Sequence, residues 1–156
     1  MTHDEVVAMI AALPGVVVHT PEPGSEAPEI AWGDSFFFYD PEDAGGEARM
    51  FPFATVVIKD YPGFDEASRL DRPERFRLNL NIGRERFTEL FGFAPSAFGE
   101  HRDAFDYAAD DVLVPHPVYG QQAWVSVVCP GRATQEAVRE LVAAAHARGA
   151  RRHRSG

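Results

Sequence analysis

Residues 75–82 read Arg-Phe-Arg-Leu-Asn-Leu-Asn-Ile, a strict alternation of polar and apolar side chains. A period of two belongs to a β-strand, because successive side chains leave opposite faces. Phe76, Leu78, Leu80 and Ile82 therefore share one face, and Arg75, Arg77, Asn79 and Asn81 share the other. The alternation predicts a half-buried strand of an antiparallel sheet, with one face in the core and one in water.

The flanking segments extend this reading. Thr2 with Glu5 three residues later is a capping-box signature, and Val6, Val7, Met9, Ile10 and Leu13 follow at helical spacing before Pro14-Gly15. Val16–Val18 is β-branched and reads as a strand. Ile30–Trp32 and Phe36–Tyr39 read as two strands around Gly33-Asp34. Thr55–Ile58 is the next strand, and residues 60–74, with Pro62, Gly63 and Pro73, form a long connection. After the alternating strand, residues 83–93 read as a short helix with Phe87, Leu90 and Phe91 inward. A proline-broken stretch then leads to a strand at about residues 122–128. A closing helix follows, with Thr134 as its cap and Val138, Leu141, Val142 and Ala145 as its apolar face.

The expected fold class is α+β: a single domain over residues 1–147. Its sheet has about five mainly antiparallel strands, with the N- and C-terminal helices packed on one face. Residues 148–156 are expected to be a frayed basic tail, since Arg148, Arg151, Arg152 and Arg154 have no acid among them.

Charge and composition exclude several functions. The net charge is −9 and the isoelectric point about 5.0, which disfavours nucleic-acid binding over a broad face. The single cysteine, Cys129, can close no intramolecular disulfide and reads as a small buried hydrophobe. Together with the absence of a membrane span of about 20 residues, this points to a cytoplasmic protein. No Cys/His ligand set, HExxH spacing or glycine-rich phosphate loop occurs, so neither a metal nor a cofactor is expected.

Three groups of residues could carry chemistry. Lys59 is the only lysine in a chain with 15 cationic residues, and it follows an apolar strand. Lysine can lose its proton and act as base or nucleophile where arginine cannot. Asp60 and Tyr61 lie beside it, with Asp65 and Asp71 in the same connection. Alternatively, Lys59 pairs with a carboxylate or bonds carbonyls that pin the 60–74 segment. His116, held between Pro115 and Pro117 near Tyr119 and Trp124, is a candidate acid/base or a loop histidine packed by its prolines. Arg75, Arg77, Asn79 and Asn81 could grip an anionic group or simply form a solvated face.

The segments "PEIAWGDSFFFYD", "PFATVVIKDYPGFD", "LDRPERFRLNLNIGRERF" and "HPVYGQQAWVSVVCPG" resemble a family of actinobacterial proteins of unknown function, DUF6194. The likeness covers nearly the whole chain. The order of elements is more loosely similar to the MmcQ/YjbR-like fold, in which a strand carries a lysine and a Trp-bearing strand precedes the last helix. Lys59 and Trp124 stand in comparable places, and the resemblance implies a double-wing α+β domain.

The resulting expectation is a binding domain that takes a small molecule or a protein between the sheet and the 60–74 and 115–122 segments. The alternative is an enzyme using Lys59 or His116 on a small anionic substrate. Nucleic-acid binding ranks third. Monomer and homodimer remain open.

Overall fold

The computed structural model describes residues 1–155. Its elements run α1 (His3–Ala11), β1 (Val16–His19), β2 (Ser35–Tyr39), β3 (Ala54–Val57), β4 (Arg77–Asn81), α2 (Gly83–Phe91), α3 (Phe98–His101), β5 (Leu113–Pro115), β6 (Trp124–Val128) and α4 (Gln135–Ser155). The six strands form one sheet in the order β1-β2-β3-β4-β6-β5, and every neighbouring pair is antiparallel. No helix among the described residues is long and apolar enough to cross a membrane.

The alternation in β4 sets the layers. Leu78 and Leu80 join Phe37, Ala54, Val56, Val125 and Val127 in one contiguous core. The same core takes Val6 and Ile10 of α1, Phe87 of α2, and Val138, Leu141, Val142 and Ala145 of α4. Burial of this set supplies the main driving force for the fold, since each large apolar side chain fully removed from water contributes roughly 1.5–3 kcal/mol.

Helix ends are fixed by local polar groups. The capping box of α1 is complete: the Glu5 N–H donates to Thr2 Oγ1 at 3.1 Å, and the Thr2 N–H donates to Glu5 Oε1 at 2.9 Å. At α4 the expected capping hydroxyl has a different role. Asp111 accepts the N–H groups of Gly131, Ala133 and Thr134, and Thr134 Oγ1 donates to the same carboxylate at 2.5 Å.

The strand inventory differs from expectation at two points. Ile30 and Ala31 lie in a single 3-10 turn, so no Gly33-Asp34 hairpin forms. Gly33 adopts φ +86°, and a side chain there would meet Ile58 Cδ1 at 2.6 Å. The turn instead delivers Asp34 into the interior. The sixth strand is β5, which ends in Pro115 and lies at the sheet edge, where a missing N–H costs no ladder bond.

Residues 148–155, expected to trail as a basic tail, form the last turns of α4; Gly156 lies outside the described residues. Gly149 packs against Phe53, and His153 sets its ring edge-on to Tyr39 with centroids 5.4 Å apart. The Nε2 of His153 also lies 3.0 Å from Glu42 Oε2.

Candidate functional site

The polar side of β4 is not solvated. Every residue from Arg77 to Asn81 is buried, and Arg77 is only 1% exposed. The cover is the 58–74 segment together with the turn that follows β5. Tyr61-Pro62-Gly63-Phe64-Asp65 makes a tight turn, with reciprocal backbone bonds between Tyr61 and Asp65 at 2.9 and 2.8 Å. Leu70 docks with Val57 and Val128 in a small apolar cluster, and its N–H donates to Asp60 Oδ1 at 2.8 Å. Strand periodicity shows which residues share a face; it does not show that a loop will close over it.

Arg77 organises the space beneath this cover. Its Nη1 and Nη2 grip Asp65 Oδ1 and Oδ2 at 2.9 and 2.6 Å, the two-pronged geometry that suits a guanidinium. Nη1 also reaches Ser68 Oγ at 2.9 Å, and Nε reaches Asn79 Oδ1 at 2.8 Å. The same Asn79 oxygen accepts from Ser126 Oγ at 2.7 Å, while Asn79 Nδ2 donates to Thr55 Oγ1 at 2.9 Å. Three neighbouring strands, β3, β4 and β6, and the covering segment are thus joined through one set of polar bonds. Burial pulls the Asp65 carboxyl upward, but the hydrogen bonds and charge of Arg77 outweigh this and hold it below the usual aspartate value.

His116 meets this network from the edge of the sheet. Its Nδ1 accepts the N–H groups of Val118 and Tyr119, each at 3.0 Å. Its Nε2 lies 3.3 Å from Arg77 Nη2. The residue is 3% exposed, and burial, reinforced by the Arg77 charge, pushes its pKa down to about 3. The imidazole is therefore neutral at physiological pH.

Aromatic side chains form the outer surface here. The Tyr119 ring lies 4.9 Å from the His116 ring, 6.1 Å from Phe64 and 6.5 Å from Trp124. Phe64 is 58% exposed and Tyr119 42% exposed, directly above a buried charged network.

Lys59 belongs to a second cluster. Its Nζ donates to the Trp32 carbonyl and lies 3.4 Å from Asp34 Oδ1. The same carboxylate accepts the Ile58 N–H at 2.8 Å and Tyr61 Oη at 2.5 Å. Burial raises the Asp34 pKa despite these partners, and burial followed by the Asp34 hydrogen bond pushes Tyr61 well above the usual phenol value. This arrangement pins the start of the 58–74 segment.

The remaining candidates separate. Asp60 holds Leu70, as above. Asp71 is exposed and takes no part in either cluster. Arg75 precedes β4 and pairs with Asp110 at 3.0 Å, apart from Arg77. The structure therefore gathers Tyr61, Arg77, Asn79, His116, Tyr119 and Trp124 on one side of the sheet, with Lys59 at its margin. Pattern reading missed Asp34, Ser68, Thr55 and Ser126, which are single polar residues with no spacing signature. A retrospective signal exists only for Asp34, an acid abutting the aromatic run of β2.

Two cavities lie elsewhere. One of about 440 Å³ is lined by Tyr39, Phe51, Phe53, Arg152 and His153, among others. The other, about 670 Å³, is lined by residues including Met1, His3, Arg75 and Cys129. Among the described residues no group of three or more His, Cys, Asp or Glu could hold a metal ion.

No curated protein and no solved structure matches the chain. The model of a family of unknown function, DUF6194, matches residues 1–156. The chain, over its full length, belongs to the DUF6194 family.

Proposed function

We propose that this protein is a small-molecule-binding domain whose site lies between the 60–74 segment and the 115–122 turn. One observation carries the reading: Phe64 and Tyr119 hold exposed aromatic surface over the buried His116–Arg77–Asp65 network. Exposed aromatics beside converging polar groups are the usual composition of a ligand site. A fragment screen followed by protein NMR tests it. Ligands should perturb Tyr119 and Trp124 resonances, and Tyr119→Ala should abolish that binding while leaving the fold intact. Ligands that perturb only other surfaces would refute the assignment.

The enzymatic alternative has less support. A base whose conjugate acid has a pKa of about 3 takes protons weakly at neutral pH, which disfavours His116 as a general base. Lys59 is engaged by Asp34 and the Trp32 carbonyl. From element order alone, with Lys59 after β3 and Trp124 on the strand before α4, we further propose kinship with the MmcQ/YjbR-like double wing. Superposing an experimental structure on a member of that fold would test it.

A further inference from the structure

The hydrogen bonds around His116 do not balance. Nδ1 accepts two backbone N–H groups, so it carries no proton. A neutral imidazole must then carry its proton on Nε2. That atom faces Arg77 Nη2, which has only N–H groups to offer. The rest of the guanidinium is matched: Nε to Asn79, Nη1 to Asp65 and Ser68, and one Nη2 hydrogen to Asp65. Two buried N–H groups therefore converge with no acceptor between them. Leaving such donors unmatched is unfavourable, and supplying one acceptor would satisfy both.

Two further observations define what that acceptor is attached to. Asn81 lies on the same sheet face, directly across from Trp124, and is 9% exposed. Its Oδ1 is buried with no hydrogen-bond partner. Trp124 connects the two halves: it pairs with Asn81 across β4 and β6, and its carbonyl accepts the His116 N–H at 3.0 Å, so the unmatched acceptor and the unmatched His116 donor belong to residues that flank the same position. The charges nearby already cancel, Arg77 against Asp65 and Lys59 against Asp34. An added carboxylate or phosphate would bring a buried charge with no counter-charge, which is costly.

We propose that the ligand of this face is an uncharged planar amide on a flat ring, whose carbonyl oxygen accepts from His116 Nε2 and Arg77 Nη2. Its N–H donates to Asn81 Oδ1, and its ring packs against Tyr119 and Trp124. Tyr119, whose ring is tilted against that of His116 with centroids 4.9 Å apart and which is 42% exposed, is the side chain that moves aside to admit it. The proposal rests on the binding-domain reading given above and narrows it from any small molecule to a neutral one.

Two measurements test it. Long-range ¹H–¹⁵N correlation spectra of the free protein report the His116 tautomer, assigned with His116→Gln. The expected form has Nε2 protonated and Nδ1 bare. A ring protonated at Nδ1 would remove the unmatched donor and overturn the inference, while the binding-domain reading would stand. The second measurement titrates benzamide, acetophenone and benzoate against the Tyr119 and Trp124 resonances. Benzamide should bind at least about tenfold more tightly than benzoate, a difference of about 1.4 kcal/mol. Asn81→Leu should erase the advantage of benzamide over acetophenone. Benzoate binding as tightly as benzamide, or no perturbation by either, would overturn the inference. A positive fragment screen on this face would still preserve the broader reading in both cases.

Discussion

Lys59 Nζ lies 3.4 Å from Oδ1 of Asp34, a carboxylate whose side chain has no exposed surface. The only lysine of the chain is thus the counter-cation of a buried acid, and through that acid it is linked to Tyr61 and the covering segment. Its side chain is 30% exposed, so the pair is only partly desolvated.

Lys59→Met should destabilise the protein by about 1–3 kcal/mol at neutral pH, the usual cost of leaving a buried polar group short of a partner. The pH dependence follows from Asp34. Its folded pKa lies above the unfolded value, so its contribution to stability is full below about pH 3.8 and is lost as pH rises through the raised value. Removing the lysine cation raises that pKa further. The gap between wild type and variant should therefore widen from about pH 4 to about pH 7, as measured by urea denaturation. A variant as stable as wild type across this range would show that the lysine is not a clasp.

Asp65 behaves in the opposite sense. Its folded pKa lies below the unfolded value, so its stabilisation is full above about pH 3.8 and is lost as pH falls through the lowered value. Asp65→Asn leaves the Arg77 guanidinium buried without its carboxylate. The expected loss is about 3–5 kcal/mol, the range for breaking one side of a buried ion pair. The acid limb of the stability curve should also become shallower in the variant. Arg77→Lys should fail to restore the wild-type value, because an ammonium cannot span Asp65, Ser68 and Asn79 together.

His116 should remain neutral through the physiological range. Following the ring protons of the six histidines by NMR, the His116 resonance should show no titration above about pH 5, while an ordinary histidine moves near about 6.5. Because the unfolded chain takes up a proton at His116 before the native state does, this residue also costs stability as pH falls below about 6.5. A midpoint near 6.5 for His116 would show that its ring is not desolvated in solution.

The layers of the fold were readable from alternation and helical spacing, because core-facing positions obey periods of 2 and 3.6. Leu78 and Leu80, the α1 and α4 faces and the Thr2–Glu5 box all carry local signals. The covering of Arg77 and Asn79 was not readable. A strand with one polar face looks the same whether water or a loop lies above it, and the difference depends on Asp65 being 12 residues away in sequence and 2.6 Å away in space. Trp32 shows the converse error. Its aromatic neighbourhood mimicked a strand, while the φ +86° turn at Gly33 directs the next residue inward instead. Lys59 and His116 were conspicuous by rarity and by flanking prolines, signals that mark a position without saying whether its role is architecture or binding.

Gly120 supports the turn that presents Tyr119. Its backbone is not in the left-handed region, so the need for glycine is steric: a side-chain carbon there would stand 2.6 Å from Cδ2 of Phe98. Phe98 is fully buried and has little room to retreat. Gly120→Ala should therefore cost about 1–3 kcal/mol, the range for overpacking a filled interior. It should also shift the Val118 and Tyr119 amide resonances, because the Gly120 N–H bonds the His116 carbonyl at 2.9 Å and closes the same turn. Phe98→Leu in the Gly120→Ala background frees ring volume at the clash. Recovery of part of the lost stability, with the two amide shifts returning toward wild type, would identify Phe98 as the wall against which the Tyr119 turn is set. A double variant no more stable than the sum of the two single losses would show that the turn is held by its own hydrogen bonds to His116.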